Sequence, residues 1–293
     1  MKKIVFPLSY YKYPNFGDLL NELVLESLFP VRVKPEPFSS ARMIGLGSLL
    51  DRLLDHGKIS QKDEKVRAQA LADRTIHIWG TGLMYRYDPA QQKAVRPMVV
   101  HAVRGELTRA QLSEILGRPL ECVLADPGLL ASRVVAPADK RYDMGIIPHY
   151  VDADDPCVAA LRERYENALV INVQDPPAVV LRQISQCRRT ISTSLHGVIV
   201  SDAYNVPSCW CEISDKVLGG GFKFHDYFSS FGTDREPFDL RSGAFPDPER
   251  DFSTSFSDYA QVEKKQDELI RCFPRSLLML AFAQTVKRKL TNK

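Results

Sequence analysis

The chain has 293 residues, 44% of them hydrophobic and 26% charged, with a formal net charge of +3. That balance is globular and long enough for two ordinary domains, and it lacks the strongly basic face or arm of a nucleic-acid binder. Six cysteines without metal-ligand spacing, most of them inside apolar runs, read as buried reduced thiols. The opening Met1–Pro7 carries an apolar run too short for a secretory signal, and no stretch reaches bilayer length. The expectation is a soluble cytoplasmic protein.

A strand over Lys3–Leu8 enters the polar-aromatic loop Tyr10–Asp18, and an amphipathic helix follows from about Leu19 to Phe29, stopped by Pro30. Asn15 or Asp18 is placed to cap that helix. Short strands then end in small-residue turns. Ala41–Ile44 ends in Gly45-Leu46-Gly47-Ser48, Thr75–Trp79 in Gly80-Thr81-Gly82, and Met98–Val103 in Arg104-Gly105. Helix Glu106–Leu116 follows, and strand Glu121–Leu124 ends in Asp126-Pro127-Gly128. Strand, turn, helix, strand is the grammar of a parallel sheet with crossover helices.

Arg133–Arg141 lacks a periodic pattern and reads as a linker, after which a second round begins. Its strands are Tyr142–Ile147, Ala168–Val173, Thr190–Thr193 and Ser208–Ile213, alternating with helices Pro156–Asn167, Pro177–Arg188 and one opening at Ser194. Gly219–Tyr227 reads as a flexible loop, 229–256 as irregular, and Asp258–Cys272 and Ser276–Leu290 as helices. The fold class is therefore α/β, with two halves joined by a linker and facing across a cleft. Ligands of open parallel sheets sit at the carboxyl ends of the strands, where Gly45, Gly82, Arg104, Asp126, Ser194 and His196 collect.

His196 stands at a strand-to-helix turn among Ser192, Thr193, Ser194 and Gly197, small residues that let an anion approach the open helix N-terminus. It is the candidate proton donor. Arg104 is either a bidentate clamp on carboxylate or phosphate, or a structural ion pair with Asp126 or Glu106. Asp18 is a helix cap or a base for a hydroxyl. Lys216, Lys223 and His225 belong either to a solvated loop or to a lid over an anionic donor. The glycine turns lack a full dinucleotide fingerprint or phosphate loop, and His77, His101 and His149 lack ligand spacing, so no cofactor and no metal is expected.

These segments together resemble the polysaccharide pyruvyl transferases, of the succinoglycan ketal type. The resemblance rests on Asn15-Phe16-Gly17-Asp18, Gly45-Leu46-Gly47-Ser48, Trp79-Gly80-Thr81-Gly82 and Val103-Arg104-Gly105 with Thr108 and Leu112. It continues through Asp126-Pro127, Ser194-Leu195-His196-Gly197, Pro207, Lys216 and Lys223-Phe224-His225-Asp226-Tyr227. It implies two Rossmann-like domains similar to the two-domain (GT-B-like) glycosyltransferases, with 1–135 on the acceptor side, 136–260 on the donor side and 261–293 packing back on the first. It implies transfer of the enolpyruvyl group of phosphoenolpyruvate to two hydroxyls of a sugar in an exopolysaccharide or capsule precursor, releasing phosphate.

Carried onto this chain, the resemblance makes His196, Asp18 and Arg104 catalytic. Ser194, Leu195, Gly197, Lys216, Lys223 and His225 would receive the donor, and Asn15, Gly17, Gly47, Ser48, Gly82 and Asp126 would line the acceptor side. The family's Ser-x-Arg-Leu-His segment has Ser194 at its arginine position here. The implied partners are phosphoenolpyruvate and a sugar or lipid-linked oligosaccharide. The basic tail either touches an anionic membrane face or packs on the first half. A nucleotide-sugar glycosyltransferase and a non-catalytic carbohydrate-binding relative stay open as other readings.

Overall fold

A computed structural model describes residues 3–38, 40–55 and 75–279; most of the expected terminal helix lies outside them. Strand β1 (Ile4–Leu8) and strand β2 (Val31–Pro35) pair in parallel across helix α1 (Phe16–Leu28). Then come β3 (Met43–Ile44), β4 (Leu54–Asp55), β5 (Ile76–Trp79), β6 (Lys93–Ala94) and β7 (Met98–Val103). Helix α2 (Glu106–Ile115), strand β8 (Val123–Leu124) and the short helix α3 (Ala131–Val134) close this half. β3, β5, β7 and β8 lie side by side in that order, all parallel, and a bridge from Ser9 to Ile44 sets β1 beside β3. β4 and β6 form a small antiparallel pair.

The second half runs β9 (Tyr142–Ile147), α4 (Pro156–Arg164), β10 (Ala168–Val170), α5 (Pro177–Ser185), β11 (Cys187–Ser192) and α6 (Leu195–Ala203). It ends with β12 (Ser208–Glu212), α7 (Phe222–Ser229), β13 (Phe238–Asp239) and α8 (Ala260–Cys272). Its sheet is fully parallel, in the order β10-β9-β11-β12-β13. The α/β class with parallel sheets is thus as the strand–turn–helix alternation implies.

Both sheets step outward once and then reverse direction, and the reversal opens a crevice at the carboxyl ends of the flanking strands. In the first half the reversal lies between β1 and β3; in the second it lies between β9 and β11. The halves also share packing. Phe16, Leu20 and Leu46 join Ile147, Ile171, Val180 and Val200 in one apolar cluster, and the Phe16 amide donates to the Val173 carbonyl at 2.7 Å. α6 packs against the turn at 127–130, so its N-terminus is held from both sides. α8 rests on β7, β8 and that same turn, and the Trp79 indole donates to the Leu269 carbonyl.

The short elements β4, β6, α3 and β13 have no counterpart in the sequence reading, and three larger elements also differ from it. α1 begins at Phe16 rather than Leu19, because the Asn15 side chain accepts from the Gly17 amide at 3.2 Å and caps it. Asp18 therefore sits inside the first turn. β2 was given no element, since a five-residue edge strand directly after a proline stop leaves only a brief in–out alternation. The expected flexible loop at 219–227 is largely helix α7. Three left-handed glycines, Gly219, Gly220 and Gly221, turn the chain into its first residue, and Phe224 stacks on Trp210 with centroids 4.4 Å apart. Lys223, Phe224, Asp226 and Tyr227 are buried by that turn.

Candidate active site

A cavity of about 510 Å³ opens where the two reversal points meet. Tyr11, Tyr13, Asn15 and Asp18 reach it from behind β1, Gly47 and Ser48 from behind β3. His149, Tyr150 and Val151 follow β9, and Ser194, Leu195 and His196 follow β11. Lys216, Leu218 and Lys223 line the remaining side, with Met84. Among the expected site residues, Asn15, Asp18, Gly47, Ser48, Ser194, Leu195, His196, Lys216 and Lys223 are thus brought together.

The turn before α6 is shaped by its own hydroxyls. The Ser194 amide donates to Ser192 Oγ at 3.1 Å, and that hydroxyl donates on to the Ser194 carbonyl at 2.8 Å. Gly197 is required because a methyl there would lie 2.2 Å from Ser192 Oγ. Ser194 is the N-cap residue of α6, but its side chain makes no capping bond, which leaves the helix end facing the cavity without a side-chain acceptor.

His196 is deeply surrounded yet keeps part of its surface accessible to the cavity. Its Nε2 is buried without a hydrogen-bond partner among the described residues. Burial, helped by the positive charges of Arg104 and Lys223, pushes its pKa down to about 3, so the ring is neutral in the free protein. The ring packs on the first turn of α1: a methyl on Gly17 would lie 2.2 Å from His196 Nδ1. Gly17 thus acts beneath the histidine and not as a lining residue. Gly17→Ala should push the ring out of place and cut turnover at least tenfold, while overpacking costs about 1–3 kcal/mol of stability. Turnover close to wild type in a folded Gly17→Ala protein would refute the contact.

Asp18 accepts from the side-chain Nδ2 of Asn15 at 3.3 Å, and burial raises its pKa to about 6 against the opposing influence of Asn15 and Lys223. Lys223 is 7% exposed and forms no ion pair or hydrogen bond among the described residues; its Nζ lies 5.7 Å from the Phe224 ring centroid. Burial brings its pKa down to about 8, with Arg104 adding to the effect. Lys216 is exposed at the rim.

Arg104, Gly82, Asp126 and His225 do not line the cavity. The Arg104 guanidinium is wholly buried and committed: Nε pairs with Asp226 at 2.8 Å and Nη1 donates to Ser48 Oγ at 2.7 Å. Its ion-pair partner is neither Asp126 nor Glu106, because α7 brings Asp226 between β7 and α2, where Thr108 also donates to it twice at 2.7 Å. Gly82 makes room for the guanidinium, 2.4 Å from where its methyl would be. Asp126 caps the turn at 127–130 through the Gly128 amide at 2.8 Å, and burial raises its pKa to about 7. His225 pairs with exposed Asp234 at 2.6 Å in a separate hollow. Asp234 and Glu236 bring ligand atoms close to that histidine as well.

Sequence reasoning missed Tyr11, Tyr13, Tyr150 and Leu218 as lining residues, and considered His149 only as a metal ligand. The position of Pro148-His149-Tyr150 at the end of β9 was the available signal, by the same strand-end rule that selected Ser194. Asn21 was missed too; its side chain grips both the amide and the carbonyl of Leu46 at 3.0 Å and so fixes the Gly45–Ser48 turn.

The family model for polysaccharide pyruvyl transferase matches residues 15–215. The chain belongs to that family. Among curated relatives, the succinoglycan biosynthesis protein ExoV of Rhizobium meliloti is 26% identical over 77% of this chain and 64% of its own length. An uncharacterised protein of Acanthamoeba polyphaga mimivirus is 29% identical over 68% of this chain and 71% of its own. For a polysaccharide pyruvyl transferase family member, the matched stretch takes in Asn15, Asp18 and the turns after β3, β9 and β11, while Tyr11 and Tyr13 precede it and Lys216, Leu218 and Lys223 follow it. None of the described helices is long and apolar enough to cross a membrane.

Proposed function

We propose that this protein is a ketal pyruvyl transferase, using phosphoenolpyruvate as donor and two hydroxyls of a saccharide as acceptor, in a two-domain arrangement like that of the GT-B glycosyltransferases. The observation that carries the reading is the deep end of the cavity. There a buried lysine without a carboxylate partner, an uncapped helix N-terminus and a histidine with a free buried nitrogen converge. Such a set suits a small dense anion. Lys223 takes the place that Ser194 leaves without a guanidinium, and Arg104 acts from behind as the brace that positions Ser48 and α7.

The chemistry balances with one proton borrowed from solvent and the two that the hydroxyls give up. His196, neutral in the free protein, takes up a proton as the anionic donor arrives, since a neighbouring dianion favours the charged ring. It delivers that proton to the donor's methylene carbon, which becomes a methyl group, and C2 becomes a cation-like centre. One sugar hydroxyl attacks C2 and gives its proton to Asp18. Asp18 passes that proton to the phosphate as the C2–O bond breaks, and the second hydroxyl closes the ketal while its proton goes to His196, which returns it to solvent when the products leave. One proton is taken from solvent and one is given back, and the two hydroxyl protons account for the new methyl hydrogen and the proton on phosphate.

The pH dependence follows from the free-protein pKa values. Asp18 must be ionised, which favours rising pH up to about 6, while His196 must gain a proton from a free-protein pKa of about 3, which disfavours it; kcat/KM for the donor is therefore flat just below about 6 and falls above it. Lys223 must be protonated, so the fall steepens as pH climbs through about 8. Lys223→Met should weaken phosphoenolpyruvate binding at least about thirtyfold, read as lost thermal stabilisation. Lys223→Arg should keep binding and abolish the steepening above about 8. A steepening that survives the arginine, or undiminished stabilisation in the methionine variant, would remove Lys223 from the donor site.

A further inference from the structure

Three of the eight large apolar side chains that the described residues leave in solvent gather at one place. Tyr11 is 46% exposed, Tyr13 50% and Leu218 64%, and all three line the same cavity. Exposed apolar surface gathered in one place marks a contact site more often than chance does. Beside them the ring of Tyr13 lies 5.0 Å from that of Tyr150, and Tyr150 lies 4.4 Å from His149, giving a row of three rings. Tyr11 stands apart from the row: Arg52 sits 4.1 Å above its ring and donates to its hydroxyl, so one of its faces is taken.

We infer that Tyr13, Tyr150 and His149 form a stacking wall for the sugar ring of the acceptor, at the mouth of the cavity and outside the anion-binding floor. This rests on the pyruvyl-transfer reading above. A pyranose is amphipathic in a particular way, with a flat apolar C–H face and a polar rim. Aromatic rings with polar tips suit the face, and polar side chains set beside them suit the rim. The cavity offers that division. Its floor holds Lys223, His196 and the start of α6, and its tyrosine-lined side also carries Asn15 and Asp18.

The wall is also held in place before any ligand arrives. The His149 amide donates to Thr193 Oγ1 at 2.7 Å, and His149 Nδ1 accepts from the Val151 amide at 3.4 Å. The wall is thus anchored to the turn of β11 that leads into Ser194. Burial and the nearby Lys223 hold the His149 pKa down to about 4, so the wall presents an uncharged ring to the sugar. Rings already packed against one another at a tilt lose little freedom on binding.

The test is saturation-transfer NMR with the intact protein and four probes used one at a time: methyl β-D-glucopyranoside, methyl β-D-galactopyranoside, methyl α-D-mannopyranoside and uridine monophosphate. Saturation should reach the ring C–H protons of at least one glycoside. It should fall by up to about tenfold in Tyr13→Ala and Tyr150→Ala and persist in Tyr13→Phe and Tyr150→Phe. Equal saturation in the alanine variants, none for any glycoside, or a signal with the nucleotide alone would overturn the wall. Thermal stabilisation by phosphoenolpyruvate should be unchanged in all four tyrosine variants, which also reports that they are folded. Tyrosine-dependent glycoside binding without any phosphoenolpyruvate stabilisation of the wild type would overturn the donor reading and leave the wall standing.

Discussion

Replacing His196 by alanine is expected to lower phosphate release from phosphoenolpyruvate about 10³-fold, with the donor KM within a few-fold of wild type. General acid catalysis contributes about 10²–10⁴ in rate, and three decades correspond to about 4 kcal/mol of transition-state stabilisation. Removing the ring strands no hydrogen-bonding group, because its buried Nε2 has no partner among the described residues. The free ring is neutral, since burial keeps its pKa near about 3, so it must gain a proton when the donor docks. Calorimetry of donor binding near neutral pH, run in buffers of different ionisation enthalpy, should therefore show proton uptake in the wild type and none in the variant. Turnover within tenfold of wild type, or identical proton uptake in the two proteins, would take His196 out of the proton path.

The parts of this site that could be read in advance are those fixed by local rules. Apolar runs ending in small-residue turns locate the carboxyl ends of parallel strands, and those ends put Ser194, Leu195, His196, Gly47 and Ser48 at one cavity. Asp18 and Asn15 followed from the turn after β1. What stayed hidden depends on long-range partners. Nothing near Arg104 announces Asp226, which lies on α7 and meets it only when that helix packs on α2. The residue Lys223 was legible but its burial was not, because three consecutive glycines look like a mobile loop when they in fact make a left-handed entry into a buried helix. Gly17 carried a visible motif whose cause was invisible: its missing side chain is filled by a histidine ring from the other half.

Arg104→Met should destabilise the protein by about 3–5 kcal/mol, measured as a lower urea midpoint with the slope unchanged. The reason is the uncompensated charge left behind. Both side chains of the Arg104–Asp226 pair are fully buried, and Asp226 would keep its Thr108 donors but lose its cation. Arg104→Lys should fail as well, because one ammonium cannot replace a fork that reaches Asp226, Ser48 and the Leu83 carbonyl together. The double variant Arg104→Met with Asp226→Asn should recover part of the loss, since the amide removes the stranded charge while its oxygen still accepts from Thr108. A brace and a donor grip then give different results. If Arg104 braces Ser48 and α7, the donor KM rises in the single variant and falls back as stability is recovered in the double one. If Arg104 touched the donor directly, KM would rise equally in both, and a stability loss below about 1 kcal/mol in the single variant would dispose of the brace altogether.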